Sequence, residues 1–487
     1  MDEIRKLVDG YYCKLCEHYV KSLDKHISNN LRAMGIATRS LKSNGLWCYI
    51  LLPLILLNYT IMYNTSVLYQ TVAFISVGLF FHCSLFILFL SLSGNIMLET
   101  DFGGCVACGL ISTMLIYAFT NQDLMISLVI TMSCVLLFSY LLKLVLINFP
   151  KTFTVGEAMV VVQSIPLFVS ATSIQYVQSM LNGVNEEFSF INTIVFTILL
   201  TTVLIITSIF MLNVEYRTVN TIVSIVIAGA IVLLLKWHII LGPNCLFDIF
   251  EYIFMDYTRF KLFLFWLSLL LVSILVIWIQ TRTVVKASTV TRKTFHILAS
   301  IVFLSGLLTD IPLMTLASGV GLSLLVFVEA LRIAEIETIS PTLQSAFVVY
   351  CDEKDRGIFA MTPLYLFVGL ACPIILVPEP VSLDLLAGVL AVGIGDTAAS
   401  CAGATFGRYR WSNNNRTLEG TAFNILSQVA VVYLLVFFDF IDVPNALIRT
   451  VFASTTSALV EAKTDQVDNL VLPLVTILAF QATNFLS

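Results

Sequence analysis

Residues 261–280 read KLFLFWLSLLLVSILVIWIQ, a run whose single charge is Lys261 at its start. A helix rises about 1.5 Å per residue, so about twenty apolar residues cross the roughly 30 Å hydrocarbon core of a bilayer. Comparable apolar runs recur along the chain and give about fifteen candidate spanning helices. They lie at 46–62, 68–94, 102–119, 124–149, 156–177, 188–213, 219–241, 261–280, 295–309, 311–332, 358–377, 382–405, 421–440, 443–461 and 468–486. The sequence therefore predicts an all-α, polytopic transmembrane helix bundle.

The composition agrees with a membrane protein and suggests how the chain is divided. Of the 487 residues, 58% are hydrophobic and 12% are charged, against about 25% charged residues in soluble domains. The net charge of −5 does not favour nucleic acid as a partner. Nearly all polar motifs follow residue 280. We predict a cytosolic N-terminal segment (1–45), N-terminal transmembrane helices that form a possible lipid groove (46–280), and a C-terminal catalytic membrane domain (281–487).

The distribution of Lys and Arg predicts which ends of the spans face the cytosol. Residues 1–45 carry eight Lys or Arg against five Asp or Glu, which favours a cytosolic N-terminus. Alternation of the spans then puts the polar stretches 281–296, 333–357 and 461–469 on that same side. The sequence thus predicts that charged chemistry is gathered at the cytosolic surface of the bundle.

The most unusual link between two apolar runs is 393–421, GIGDTAASCAGATFGRYRWSNNNRTLEGT. Its glycines, Gly393 and Gly395, permit close backbone approach. An acidic residue at membrane depth is costly and usually functional, and Mg²⁺ is commonly held by one or two carboxylates together with substrate phosphates. Asp396 is therefore a candidate metal ligand. The plainer alternative is a helix-packing pair of glycines followed by an N-capping Asp.

Basic and amide side chains follow in the same link. Arg408, Arg410 and Arg416 fall within nine residues, and a guanidinium suits bidentate recognition of phosphate; anchoring at the membrane surface is the alternative. Trp411 either stacks on a base or belongs to an interfacial aromatic belt. The asparagines at 413–415 either bind a base or ribose or form a turn.

The segment Thr417–Thr421, TLEGT, directly precedes the next apolar run. Backbone amides at a helix N-terminus, aided by a glycine, form an anion site. Glu419 is a candidate metal ligand, base or partner of the helix dipole. The chain has no Walker A motif here, so phosphate binding would use another arrangement.

Two further places carry candidate groups outside that link. Lys293, within RKTFH (292–296), either steers a polyphosphate or anchors the chain at the membrane. Asp465 and Asp468 are three residues apart, on one face if the segment is helical. Paired acids there can activate a hydroxyl or hold a second metal ion, and a solvated loop is the plainer interpretation.

These motifs occur in one order: RKTFH, GIGDTAAS, GRYRW, NNNRTLEGT and EAKTDQVDNLVLPL. Over roughly residues 290–487 they resemble the dolichol kinase family, the CTP-dependent polyprenol kinases of the endoplasmic reticulum membrane. The resemblance implies transfer of the CTP γ-phosphate to the terminal hydroxyl of dolichol at the cytosolic face. The products are CDP and dolichyl phosphate, which is needed for protein glycosylation and GPI-anchor synthesis.

The resemblance also implies a site, with CTP, dolichol, membrane lipids and a divalent cation such as Mg²⁺ as partners. The CTP-binding residues it implies are Arg410, Trp411, Asn413, Asn414, Asn415, Arg416, Thr417, Leu418, Glu419, Gly420 and Thr421. We assign Asp396 and Glu419 to the metal, and Arg410, Arg416 and Lys293 to charge neutralisation. Asp465 or Asp468 is the candidate base for the lipid hydroxyl. The family commonly has Lys where this chain has Arg416, and an aromatic residue where it has Leu418.

Other classes of protein make different predictions. A cytidylyltransferase-like enzyme would use the same CTP and metal but take phosphatidate and release pyrophosphate, and a shorter-prenol kinase would differ in its acceptor. A polytopic transporter would place its polar sites near the bilayer midplane in paired halves, whereas the polar motifs here gather at one surface. A structural scaffold would not need the motif set.

Overall fold

The structure is a computed structural model that describes residues 14–39, 41, 43–99, 101–182, 187–283, 289–350, 357–378, 383–411 and 416–486. In this part of the chain the backbone is helical or in turns and links, and one isolated β-bridge joins Arg410 to Thr417. The predicted all-α class is confirmed. Residues 1–13 of the predicted N-terminal segment and Asn413–Asn415 lie outside the described residues.

The N-terminal part begins with a polar helix and continues as long apolar helices. A 3₁₀ turn, Leu46–Ile50, runs directly into α2. The helices are α1 (Lys14–Ala33), α2 (Leu51–Met62), α3 (Val67–Leu92), α4 (Phe102–Thr120), α5 (Leu124–Asn148), α6 (Val155–Asn182), α7 (Glu187–Met211), α8 (Val219–Leu241), α9 (Cys245–Phe254) and α10 (Tyr257–Thr283).

The C-terminal part contains a π-helix, Val389–Asp396, which continues into an α-helix. The α-helices are α11 (Thr289–Thr309), α12 (Ile311–Ile333), α13 (Ile339–Tyr350), α14 (Met361–Leu376), α15 (Thr397–Phe406), α16 (Leu418–Phe437), α17 (Ala446–Lys463) and α18 (Asp468–Ala482).

Each of the predicted spans coincides with a helix, but not all have the length and hydropathy of a full crossing. In the described part of the chain, 10 helices are long and apolar enough to cross a membrane, and three apolar helices are shorter. The remaining two predicted spans coincide with α11, whose first turns contain Arg292 and Lys293, and with α17, which contains Arg449 and Glu461. The polytopic architecture is confirmed, and the number fifteen stays a prediction.

Aspartates set the start of several helices. Asp101, Asp123 and Asp310 precede α4, α5 and α12, and each side chain accepts a hydrogen bond from a backbone N–H of the first turn. A carboxylate at this position satisfies amides that have no partner within the helix and favours the helix dipole. The Asp310 cap explains why the apolar stretch from 295 to 332 is divided into two helices.

The π-helix lies at the centre of the C-terminal part. Its residues from Val389 to Val392 are almost fully buried, and it packs against α11, α14, α16, α17 and α18. Short π-helical segments occur often at functional sites. The helices from the two sides of residue 280 also touch, since α2 packs on α18 and α7 packs on α12. The predicted domain boundary itself stays a prediction.

Contacts between links show which polar segments share one end of the bundle. The Lys151 amide donates to the Ala37 carbonyl (2.6 Å), and a Cβ on Gly357 would meet Thr152. The Val467 amide donates to Glu157 (2.9 Å). The segment 37–45, the start of α6, Gly357 and the 464–468 segment between α17 and α18 therefore lie at one end of the bundle.

The opposite end of the bundle holds a second buried polar group. Tyr59 donates to Asp384, and the Asp384 carboxylate lies 3.7 Å from the Arg449 guanidinium. Tyr59 lies near the end of α2, Asp384 in the 3₁₀ helix Leu383–Leu386 that precedes the π-helix, and Arg449 near the start of α17. This pair serves below as a reference for the effects of buried charge away from the candidate site.

Candidate active site

The two glycines of GIGD bring neighbouring helices against the π-helix. A Cβ on Gly393 would lie 1.8 Å from the Ser300 hydroxyl oxygen of α11. A Cβ on Gly395 would lie 2.5 Å from side-chain atoms of both Asn424 and Gln428 of α16. Such distances admit a Cβ only if the Ser300, Asn424 or Gln428 side chain shifts, so glycine allows the close approach seen at both positions. The packing interpretation of these glycines is confirmed, and it places α11 and α16 beside Asp396.

Asp396 uses its carboxylate in an ion pair and not as a helix cap. Its side chain makes no capping bond to α15. Lys293 of α11 donates to it instead, and the two side chains are only 11% and 7% exposed. The Ser400 hydroxyl stands 3.5 Å from its other oxygen, which is at the outer limit of a hydrogen bond. The sequence-predicted residues Lys293 and Asp396 therefore meet, and the N-cap alternative is not what the structure shows.

Arg416 joins the link before α16 to the turn between α17 and α18. Its guanidinium donates to the Thr464 carbonyl (3.0 Å) and to the Asp468 carboxylate (2.8 Å). Burial alone would lower the pKa of Arg416, but the carboxylates of Asp468, Glu461 and Asp396 outweigh it and raise that pKa above its usual range. Arg416 thus shares one electrostatic neighbourhood with the Lys293–Asp396 pair.

The segments 409–411 and 416–418 form a short hairpin that leads into α16. The Trp411 amide donates to the Arg416 carbonyl (2.9 Å) and the Leu418 amide to the Tyr409 carbonyl (2.8 Å). The Trp411 ring is 4% exposed, its indole N–H donates to the Thr421 hydroxyl (2.9 Å), and the Lys463 ammonium lies 5.2 Å from its centroid. Trp411 therefore anchors the hairpin on α16 in this conformation.

The start of α16 is already well supplied with hydrogen-bond partners. The Thr417 hydroxyl caps the helix by accepting from the Gly420 amide (3.1 Å), and the Thr421 amide donates to the Thr417 carbonyl (3.1 Å). The Glu419 carboxylate accepts from the Tyr409 amide at 3.2 Å with either oxygen. A phosphate at this helix start would compete with these contacts, so the side chains around it are better placed to hold one.

A buried polar chain lies beneath these groups, and the sequence analysis did not single it out. Gln428 donates to Asn424 (2.5 Å), and Asn424 donates to the Glu461 carboxylate. All three side chains are buried. Asn424 and Gln428 are i, i+4 within an apolar helix, and polar residues at such positions in a span mark functional sites. That spacing was the available signal.

Comparison with known proteins shows which family the chain belongs to. A family model described as "Dolichol kinase" matches residues 71–407. The chain belongs to the dolichol kinase family. Bovine (Bos taurus) dolichol kinase is 30% identical over 400 residues, covering 78% of this chain and 74% of the relative. Human dolichol kinase is 29% identical with the same coverage, and the enzyme of Saccharomyces cerevisiae is 26% identical over 48% of this chain and 44% of its own length. No solved structure matches.

The structure places the remaining residues predicted from the family's pattern less centrally. Arg410 is exposed on the hairpin. Asp465 lies half-buried in the turn after α17, whereas Asp468 is the first residue of α18. The condition under which these two acids would share one helix face is not met, because α17 ends at Lys463 and Asp465 lies in the turn before α18. Asp468 is also engaged by Arg416.

The donor set at the site suits a cation that arrives with a nucleotide better than a resident one. Within the described ranges no three His, Cys, Asp or Glu side chains are grouped as a metal site. Mg²⁺ generally takes only one or two protein carboxylates and completes its shell with phosphates and water. Asp396 fits that role, because it is buried with one oxygen in no close hydrogen bond among the described residues.

Proposed function

We propose that this protein is a dolichol kinase of the endoplasmic reticulum membrane. It transfers the γ-phosphate of CTP to the terminal hydroxyl of dolichol and releases dolichyl phosphate and CDP, with its catalytic end towards the cytosol. The observation that carries the proposal is the partly to fully buried set of two cations and three carboxylates at one end of the bundle (Lys293, Arg416, Asp396, Asp468 and Glu461) in a member of the dolichol kinase family. Dolichyl phosphate then serves protein glycosylation and GPI-anchor synthesis.

The cations perform the main electrostatic task. Phosphoryl transfer needs positioning and neutralisation of charge on the transferred group more than covalent chemistry. We assign Lys293 and Arg416 to the phosphates because Lys293 is paired with Asp396 and Arg416, partly exposed, is paired with Asp468 in the same electrostatic neighbourhood. Preorganised donors of this kind typically contribute about 2.7–4 kcal/mol to transition-state stabilisation. Arg410, exposed on the hairpin, is assigned to the approaching triphosphate.

We assign Asp396 to the metal, and Glu419 as its second carboxylate. A divalent cation such as Mg²⁺, bound with CTP, would supply charge neutralisation at the bridging and terminal phosphate oxygens. A Cβ on Gly395 would meet Asn424, so Asn424 lies at the same height in the bundle as Gly395. Glu419 is five residues before Asn424 in α16, a rise of about 7.5 Å. Glu419 would therefore reach a shared ion only by releasing the Tyr409 amide.

The hairpin and the start of α16 are the proposed nucleotide-binding segment. We assign the cytidine to the neighbourhood of Trp411 and to Asn413–Asn415, which lie outside the described residues. Thr417–Thr421 forms the floor beside the phosphates. Trp411 is buried against Thr421 and Lys463, so it holds the hairpin that presents this segment to the nucleotide.

The remaining task is to accept the proton of the lipid hydroxyl. In the reaction the bond from the γ-phosphorus to the β–γ bridging oxygen breaks. A bond from the dolichol oxygen to that phosphorus forms, and the hydroxyl proton passes to a carboxylate. Asp465 and Asp468 are the candidate bases. Asp468 is bound to Arg416 in this conformation, whereas Asp465 is half-buried in the adjoining turn.

The decisive experiment follows the γ-phosphate. Membranes containing the protein are incubated with γ-labelled CTP, Mg²⁺ and dolichol, beside membranes with Asp396→Ala. Labelled lipid that depends on dolichol and disappears in the variant is the expected result. Pyrophosphate release with phosphatidate and no labelled dolichol product would favour a cytidylyltransferase instead. In sealed microsomes, activity with externally added CTP tests the cytosolic orientation.

A further inference from the structure

The turn between α17 and α18, residues 464–468, is hydrogen-bonded to the N-terminal part of the chain. The Val467 amide donates to Glu157 of α6 (2.9 Å). The Thr154 hydroxyl donates to the Gln466 side-chain oxygen (2.7 Å), and the Gln466 amide group donates to the Ser43 carbonyl (3.1 Å). Three contacts thus reach this turn across more than 300 residues of sequence.

Glu157 is the centre of this support. Its side chain is fully buried. One oxygen accepts from the Thr154 amide (3.0 Å), and the Glu157 amide points back to the Thr154 hydroxyl (3.3 Å), which makes a capping box at the start of α6. The other oxygen accepts from both Arg39 and the Val467 amide. A capping box uses only one carboxylate oxygen, so the second oxygen of Glu157 is available to Arg39 and to the Val467 amide of the 464–468 turn.

The backbone around Glu157 leaves little freedom of movement. The Gly156 amide donates to the Asn44 carbonyl (2.8 Å). A Cβ on Gly156 would lie 1.8 Å from the Gly45 carbonyl oxygen, and a Cβ on Gly45 would lie 2.3 Å from the Gln466 side-chain oxygen. The segments 43–45 and 154–157 therefore touch backbone to backbone, and both contact the 464–468 turn through the Gln466 and Glu157 side chains.

The other side of the same turn faces the candidate active site. Arg416 donates to the Thr464 carbonyl and to the Asp468 carboxylate, the two residues at the ends of the turn. Val467, which Glu157 holds, directly precedes Asp468. A shift of the turn would therefore move both acceptors of Arg416 together.

We propose that Glu157 is a positioning residue for the phosphate-binding Arg416. Through the Val467 amide it holds the 464–468 turn, and the turn holds the guanidinium in the orientation that meets the nucleotide. This rests on the proposed function. It gives the N-terminal helices a role in the reaction beyond any contact with lipid.

The test compares Glu157→Gln with the matched variant Glu215→Gln. Glu215 is exposed in the 3₁₀ turn Val214–Tyr216 and has no assigned role. The glutamine at 157 keeps the shape but replaces one accepting oxygen with an NH₂ group, which opposes either the Thr154 amide or the Val467 amide and Arg39. A buried donor left without its acceptor corresponds to about a tenfold effect. We expect the KM for CTP to rise by about that factor, while the KM for dolichol stays unchanged.

A merely structural role predicts a different result. It would reduce the amount of folded enzyme and hence the maximal rate, with both KM values unchanged in Glu157→Gln; that outcome overturns the proposal. Thr154→Val, which removes the hydroxyl contact to Gln466 and the acceptor of the Glu157 amide but keeps the Glu157 carboxylate, gives a second variant if Glu157→Gln does not accumulate. The same rise in the KM for CTP is expected for it, and an unchanged KM counts equally against the proposal.

Coupling to the turn gives a second readout. If Glu157 acts through Asp468, then combining Glu157→Gln with Asp468→Asn raises the KM for CTP by less than the product of the separate effects. Fully multiplicative effects would contradict the proposed route. Should the unaltered protein form no labelled dolichol product, the proposed function fails, and CTP binding to the purified protein judges the Glu157 inference by itself.

Discussion

The Lys293–Asp396 pair gives the sharpest test of the site, because stability and chemistry can be separated. The two side chains are 11% and 7% exposed. Removing one partner of a buried ion pair leaves an uncompensated charge and typically costs about 3–5 kcal/mol of stability, whereas replacing both with apolar residues is often neutral. Lys293→Met alone should therefore destabilise the protein strongly, and Lys293→Met/Asp396→Leu should restore much of that stability.

Turnover should stay low in the double variant, although its stability recovers. If both residues act on the phosphates, the double variant loses at least about 10²-fold in turnover, as expected for removal of preorganised charge. The assay is labelled dolichyl phosphate formed per folded molecule. Folded protein is quantified by size-exclusion chromatography of detergent extracts after a temperature series.

The Arg449–Asp384 pair supplies the control for this experiment. It is more deeply buried, at 4% and 1% exposure, and lies at the opposite end of the bundle. Arg449→Met/Asp384→Leu should leave turnover per folded molecule near that of the unaltered protein. The reasoning is refuted if Lys293→Met/Asp396→Leu retains turnover within about tenfold of the unaltered protein, a loss of only about 1.4 kcal/mol.

Two further substitutions test the packing and the arginine. Gly395→Ala should lower stability by about 1–3 kcal/mol and reduce activity, because the added methyl overlaps Asn424. Its thermal inactivation is compared with that of Gly103→Ala, where the added methyl meets nothing within 4 Å. Equal stability of the two variants would contradict the packing argument. Arg416→Lys keeps the charge but cannot hold Thr464 and Asp468 with one planar fork, so we expect a higher KM for CTP with turnover retained. Arg416→Met removes the charge and should reduce turnover by about 10²-fold or more. Equal losses of turnover in the two variants would show that charge at this position is irrelevant.

Much of the site was predictable because membrane topology is simple to derive from sequence. Apolar runs fix the helices, and alternation brings Lys293, Asp396 and Arg416 to one end although 123 residues separate the first from the last. What the sequence does not give is the pairing of helices. The contact of Asn424 with Glu461 depends on how α16 crosses α17, and neither apolar periodicity nor charge counting specifies that crossing.

Local signals also had limits of a different kind. The sequence TVGE at 154–157 is a recognisable capping box, yet nothing in it predicts that the spare oxygen of Glu157 reaches Val467, 310 residues away. The spacing of Asp465 and Asp468 suggested one helix face, but the helix ends at Lys463 and the acids separate. In both places the decisive term is a tertiary contact that short-range patterns do not contain.

The depth of Asp396 explains how two unlike substrates can meet at this site. Asp396 precedes the ten residues of α15, so it lies about 15 Å along the helix axis below the hairpin that follows that helix. The polar headgroup region of a bilayer is roughly 5–8 Å thick on each side, so with the hairpin at the membrane surface, as the proposed function requires, Asp396 would be at or below the level of a lipid hydroxyl held near the hydrocarbon boundary. CTP would approach past the hairpin with its phosphates directed inward, while dolichol would keep its chain in lipid. The buried ion pairs make that depth tolerable in the absence of substrate, since each cation there is matched by a carboxylate.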